Sequence, residues 1–170
     1  MSEKDDFHID MSGRIYENKN IGIALVGIYT RTNYGCVLKK QLLQKIKKEL
    51  FEEDFYYDSA KLYAICIFIL LDKVKDSVNE LIVCNDEDFR VVKKILDYFL
   101  GDYNFKIINI TEFRKRLGRN VGSFADNYAR IYRKRALKPT RLNHGKSINV
   151  VKINFKKIKQ NWDGLKENKL

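Results

Sequence analysis

Runs of apolar residues alternate along the chain with short polar segments, and the spacing within each run predicts its conformation. Residues 7–11 alternate between apolar and polar side chains, which predicts a strand with His8 and Asp10 on one face. The apolar run 21–29 and the segment 34–40 predict two further strands. Because short polar links join them, the three strands are expected to form an antiparallel meander.

After the meander, helical and extended patterns alternate. Residues 41–51 carry a short amphipathic pattern. Further helices are predicted at 59–74, 89–100, 111–117 and 123–137, and strands at 80–84 and 105–110. Asp58 is predicted to cap the first long helix, and Gly101 and Pro139 to end two others. The main elements therefore follow the order βββαβαβα, which indicates an α/β fold.

The last part of the chain is more ambiguous. Apolar positions from Val151 to Trp162 fit one helix face, and the first of them fit a strand equally well. We predict a domain over 7–139, followed by a basic appendage over 140–170 that packs on it through Phe155 and Trp162.

Composition narrows the class of protein. Hydrophobic residues make up 45% of the 170 residues, which supports a packed core. The longest apolar run, 62–71, is too short to span a bilayer. Residues 1–6 are charged, unlike a signal peptide. The three cysteines lack metal-ligand spacing and are expected to be reduced thiols. These features predict a cytoplasmic protein with no membrane association.

Positive charge is concentrated in the C-terminal third. The net charge is +11, and residues 112–170 hold 17 Lys and Arg against 4 Asp and Glu, a net +13. Such a segment favours a polyanion such as RNA or DNA. A solvated, lysine-rich surface is the alternative. The residues expected to hold phosphates are Arg114, Arg116, Arg119, Arg130, Arg133 and Lys134.

Four segments, in this order and between these elements, resemble the ribonuclease H-like superfamily. They are Phe7-His8-Ile9-Asp10-Met11-Ser12-Gly13, Tyr34-Gly35-Cys36-Val37-Leu38, Leu81-Ile82-Val83-Cys84-Asn85-Asp86 and Ala125-Asp126-Asn127-Tyr128-Ala129-Arg130. The resemblance covers about residues 7–137. It implies a ribonuclease H-like fold with a five-stranded mixed sheet and helices on both faces.

The resemblance also implies a divalent-metal nuclease that hydrolyses phosphodiester bonds of RNA or an RNA–DNA hybrid. Asp10, Asp86 and Asp126 would be the catalytic residues and would hold Mg²⁺ or Mn²⁺, since two such ions activate the water and stabilise the leaving oxygen. A plainer interpretation makes Asp86 a helix cap and Asp126 part of a capping box with Ser123.

The sequence departs from the family pattern in the first long helix. Lys61 stands where the family places a Glu, and we expect its ammonium to weaken one metal site. Asp58, three residues earlier, is the candidate substitute ligand. The family's loop histidine is also absent from 118–122. Two alternative functions follow: a nucleic-acid-binding module with little or no catalytic activity, or a protein-interaction domain on the same scaffold.

Overall fold

The computed structural model describes residues 3–52, 54–135 and 147–170. Its centre is a five-stranded mixed sheet. The strands are β1 (Asp5–Ser12), β2 (Ile21–Gly27), β3 (Asn33–Leu38), β4 (Val78–Val83) and β5 (Lys106–Asn109). The order across the sheet is β3-β2-β1-β4-β5. The first three strands form the predicted antiparallel meander, and β4 and β5 add to it in parallel on the other side of β1.

Six α-helices accompany the sheet in the described part of the chain. They are α1 (Lys40–Glu49), α2 (Phe55–Leu71), α3 (Phe89–Leu100), α4 (Ile110–Leu117), α5 (Asp126–Arg135) and α6 (Phe155–Glu167). None of the described helices has the length and apolar character needed to cross a membrane.

Side chains alternate between the two faces of the sheet along each strand, and both faces are buried. One face, which includes Phe7 and Ile9, joins the main core with residues of α2, α3 and α6. The opposite face carries Ala24 and Val26, which pack against α5, and Ile82, which packs against α4. Helices therefore cover both faces. His8 and Asp10 lie on the side of α4 and α5.

Helix α2 is buried along nearly its whole length, as its apolar composition predicts. It begins earlier than the sequence suggested, because the side chain of Asp54 accepts hydrogen bonds from the N–H groups of Tyr56 and Tyr57. The prediction that Asp58 caps this helix is therefore wrong. Asp58 lies inside the first turn.

Helix α5 packs very close to the sheet through two glycines. A Cβ atom at Gly22 would lie 2.2 Å from the carbonyl oxygen of Ala129, and one at Gly35 would lie 2.4 Å from the ring of Tyr132. Both distances are far below van der Waals contact, so any larger residue would push α5 away. This close approach fixes the position of Asp126, the first residue of α5.

The C-terminal segment is integrated with the core where the structure describes it. The N–H of Gly35 donates to Asn149 and the N–H of Val151 donates to Gly35, so this segment pairs with the outer edge of β3. Helix α6 follows, and Trp162 is buried in the main core. The helical interpretation of this region is thus correct from Phe155 onward. The predicted boundary at 139/140 and Pro139 lie outside the described residues.

Candidate metal centre

Two acidic residues meet where β1 and β4 run side by side. These strands are parallel, and the N–H of Cys84 extends their ladder by donating to Ile9 at 3.1 Å. Asp10 lies in β1, and Asp86 follows the end of β4. Potential ligand atoms of Asp10, Cys84 and Asp86 all lie within 4.8 Å of one another. The parallel pairing therefore brings together carboxylates that are 76 positions apart in the chain.

Asp126 lies at the same place but outside this tight cluster. It lines a cavity of about 360 Å³ together with Asp10 and Asp86. Its carboxylate forms an ion pair with Arg130, one turn along α5, at 3.1 Å. The three aspartates expected from the sequence thus open onto one cavity, which is walled on one side by the loop before α5.

The carboxylate of Asp10 is buried and is held by the backbone of the next residue. Its Oδ1 accepts from the N–H of Met11 at 2.8 Å. The thiol of Cys84 lies beside it, and burial followed by the charge of Asp10 raises the pKa of that thiol. In the metal-free protein the thiol of Cys84 is therefore protonated. The oxygen ligands of the cluster come from the two aspartates.

Asp86 is held by a guanidinium. Arg14 Nη1 lies 2.6 Å from its Oδ1. Gly13, with φ +95°, makes the turn after β1 that precedes this arginine. Burial has the largest effect on the pKa of Asp86 and raises it well above its usual value. The neighbouring Asp10 raises this pKa further, while Arg14 opposes the shift. Burial also raises the pKa of the adjacent Glu87 to about 7. Two carboxylates this close and this buried favour a bound cation or a shared proton.

Tyr63 of helix α2 is fully buried in the main core. The titratable groups whose charge influences its pKa include Asp86, Cys84 and Asp10. Burial and these carboxylates raise the pKa of its phenol, so the hydroxyl keeps its proton. Among the described residues, neither this hydroxyl nor Oδ2 of Asp86 has a hydrogen-bond partner.

The donor set fits a hard divalent cation. Mg²⁺ and Mn²⁺ take carboxylate oxygens and keep several water ligands, so two or three aspartates suffice. The unpartnered Oδ2 of Asp86 is a buried acceptor that a cation or its water would satisfy. Asp10 and Asp86 are the residues that would hold the ion, and Asp126 is close enough to the cavity to act through a bound water.

The side chain of Lys61 does not have the surroundings that the sequence predicted. Its ammonium donates to the carbonyl oxygen of Leu170 at 2.9 Å and lies 4.3 Å from the centre of the Trp162 ring. Successive residues of a helix are about 100° apart, so Lys61 and Tyr63 leave α2 on opposite sides. Lys61 therefore faces α6.

Asp58 belongs to the Lys61 side of the helix as well. Its Oδ2 accepts from the N–H of Glu52 at 2.8 Å, and it lies close enough to Lys61 to influence that residue's pKa. These contacts do not support the prediction that Asp58 is a substitute metal ligand. Asp58 instead closes the link between α1 and α2.

The predicted phosphate-binding residues fall into different environments. Arg114 lines the cavity, and its Nε donates to the carbonyl of Val121 at 2.8 Å. Arg116 forms two hydrogen bonds, of 3.0 and 2.5 Å, to the buried carboxylate of Glu80, so it has a structural role. Arg119 is exposed.

The three basic residues of α5 also differ among themselves. Arg130 pairs with Asp126, Arg133 packs beside Gly13, and Lys134 is exposed. Lys134 and Arg119 are therefore the exposed members of the predicted set that contact no carboxylate in the described part of the chain. The predicted phosphate-binding residues therefore differ in whether a carboxylate already neutralises them.

The sequence pattern did not single out Arg14 or Cys84 as parts of the site. Arg14 is reachable from sequence only through its place in the turn after Asp10. Cys84 precedes Asp86 by two positions, so period-two alternation places it on the Asp10 face of the sheet.

Comparison of the chain with protein-family models, with curated proteins and with solved structures finds no significant match.

Proposed function

We propose that this chain is a ribonuclease H-like nuclease that uses divalent metal ions to hydrolyse phosphodiester bonds of RNA or an RNA–DNA hybrid. The observation that carries the proposal is the convergence of Asp10 and Asp86 within 4.8 Å at the end of two parallel strands. Asp126 lines the same cavity. Crevices at the carboxyl ends of parallel strands are where open α/β sheets bind their ligands.

The arrangement of elements supports the same proposal. An antiparallel meander, followed by parallel strands joined through helices, is the order that the resemblance implies. The long helix α2 departs from the family pattern, because Lys61 stands at the position of the family's Glu and packs against Trp162 of α6. The site would therefore hold its metal with fewer acidic ligands than the family pattern has.

The residues have distinct tasks in this mechanism. Asp10 is fixed by the N–H of Met11 and presents an anionic oxygen from the buried strand. Asp86 presents its free oxygen from the end of β4. A bound Mg²⁺ or Mn²⁺ would polarise the phosphate and lower the pKa of an attacking water. Asp126 would orient that water or a second ion, and Arg114 would hold a neighbouring phosphate.

Cleavage assays test the proposal. Labelled RNA, DNA and RNA–DNA hybrid are incubated with wild type and with Asp10→Asn in Mg²⁺, Mn²⁺ or EDTA. We expect cleavage of RNA or of the hybrid that needs the metal and falls by at least about 100-fold in Asp10→Asn. Cleavage that persists in both EDTA and Asp10→Asn would place the activity elsewhere or in a contaminant.

A second candidate is a nucleic-acid-binding module of the same fold without efficient catalysis. The contact between Arg14 and Asp86 favours it, because a guanidinium here already neutralises the carboxylate that a metal would need. In that case wild type binds nucleic acid, the affinity falls steeply with salt, and no metal supports cleavage. The protein-interaction alternative predicts no salt-dependent nucleic-acid binding at all.

A further inference from the structure

Of the two residues in the contact between Arg14 and Asp86, only the aspartate is held in place by burial. Asp86 has a side chain that is 10% exposed, whereas the side chain of Arg14 is 45% exposed. The carboxylate is thus part of the cavity wall, and the guanidinium reaches it from the solvent side. A cation at Oδ2 and the guanidinium at Oδ1 would compete for the negative charge of the same carboxylate.

A second guanidinium belongs to the same cavity. Arg114 comes from α4 and is steadied by its bond to the carbonyl of Val121. Both arginines line the cavity that Asp10, Asp86 and Asp126 also line. Arginine binds carboxylates and phosphates through the same planar arrangement of N–H groups, so Arg14 can exchange one partner for the other without a change of chemistry.

We infer that Arg14 couples cation binding to substrate binding: it pairs with Asp86 in the free protein and transfers to a backbone phosphate of the nucleic acid when a divalent cation takes that carboxylate. The inference rests on the proposed function for the place of the cation. Because coupling is reciprocal, the nucleic acid must strengthen cation binding by the same factor as the cation strengthens nucleic-acid binding.

The first measurement is the affinity for Mn²⁺ in the absence of nucleic acid. It is followed through the electron paramagnetic resonance signal of the free ion, with wild type, Arg14→Gln and Arg90→Gln. Arg90 is a matched control, since it also pairs with an aspartate, Asp88, but has a side chain that is 90% exposed. Arg14→Gln should bind Mn²⁺ about fivefold more tightly, while Arg90→Gln stays within about twofold of wild type. Unchanged or weaker binding by Arg14→Gln would overturn the inference.

The second measurement is the affinity for a fluorescent single-stranded oligoribonucleotide, by anisotropy in Mn²⁺ and in EDTA, with a gel check that the strand stays intact. Arg14→Gln should weaken binding about tenfold in Mn²⁺ and less than about twofold in EDTA, because Arg14 is engaged with Asp86 when the cation is absent. An equal loss in both conditions would identify Arg14 as an ordinary surface contact and refute the coupling.

Asp10→Asn separates failure of this inference from failure of the proposed function. If Asp10→Asn abolishes Mn²⁺ binding while Arg14→Gln does not strengthen it, the metal site stands and the coupling is wrong. If Asp10→Asn binds Mn²⁺ as wild type does, the metal site and the coupling fail together. Circular dichroism and thermal unfolding of each variant establish that the comparisons are made between folded proteins.

Discussion

Asp86 and Tyr63 each bury a polar atom for which the described residues provide no partner. The two atoms are complementary in kind, because a phenol donates and a carboxylate oxygen accepts. Burial without a hydrogen bond costs stability in each case. At the scale of single residues, each of these two unpartnered atoms is therefore expected to lower the stability of the fold.

Tyr63→Phe tests this interpretation. Removing the hydroxyl deletes a buried donor without a partner and leaves the ring in the core, so the metal-free protein should become more stable by about 1 kcal/mol. Urea unfolding in EDTA measures the difference. Tyr132→Phe is the matched control, since the hydroxyl of Tyr132 bonds Asn33 and the N–H of Asn149, and its loss should destabilise the protein. A loss of stability in Tyr63→Phe would show that its hydroxyl has a partner in solution.

At the level of single residues, the sequence predicted the proximity of Asp10 and Asp86 but not the contacts of Lys61 and Arg14. Asp10 and Asp86 were expected to converge because the segments that hold them resemble the ribonuclease H-like pattern, and their side chains do lie close together. Lys61 was misplaced because its position came from an alignment of α2, where an offset of two residues reverses the helix face. Arg14 was missed because a contact across 72 positions leaves no local pattern.

At the scale of elements, the packing of α5 on β2 determines where Asp126 lies. Gly22→Ala would place a methyl group 2.2 Å from the carbonyl of Ala129 and 2.5 Å from the N–H nitrogen of Arg133. Backbone atoms cannot move aside as a flexible side chain can. We therefore expect a loss of about 3 kcal/mol in unfolding free energy and displacement of α5.

Gly164→Ala is the control for that substitution. Gly164 lies within α6 with open space around the position of a Cβ atom. Alanine there should stabilise the protein by about 0.5–1 kcal/mol, since glycine is the poorer helix former. Equal stability of Gly22→Ala and wild type in chemical unfolding would mean that α5 does not pack on β2 as described.

The elements themselves were largely predictable. Helix α3 has the predicted bounds, because Asp88 caps its start and Gly101 ends it with φ +59°. The start of α2 could not be predicted, because Asp54 and Asp58 are equally good caps by residue type. Only tertiary packing chooses between them. The C-terminal segment was ambiguous for the same reason, since both of its apolar patterns fit until β3 and the core are in place.

At the scale of the whole molecule, one buried histidine makes stability depend on pH. His8 is fully buried between the rings of Phe113 and Phe124, and its Nδ1 accepts from the N–H of Phe124 at 3.1 Å. Burial lowers its pKa from 6.5 to about 4, with Glu80 opposing the shift. The unfolded chain therefore binds a proton at a higher pH than the folded chain does.

The sign of the effect follows directly. Above pH 6.5 His8 is neutral in both states, and its contribution is fully present; it is lost as the pH falls from about 6.5 to about 4, by about 2–3 kcal/mol in total. His8→Gln keeps an acceptor but does not titrate, so its stability should fall less over this range. Urea unfolding from pH 7 to 4 in EDTA gives both curves. Parallel curves for the two proteins would show that His8 does not carry this pH dependence.

The central claim is that Asp10 and Asp86 hold a divalent cation between β1 and β4. The most direct measurement is X-ray diffraction at a wavelength where manganese scatters anomalously, from crystals of wild type and Asp10→Asn soaked in MnCl₂. We predict an anomalous peak in contact with the carboxylates of Asp10 and Asp86 in wild type, and none there in Asp10→Asn. A wild-type crystal with no peak at these carboxylates in saturating Mn²⁺, and with Arg14 still bound to Asp86, would contradict the claim.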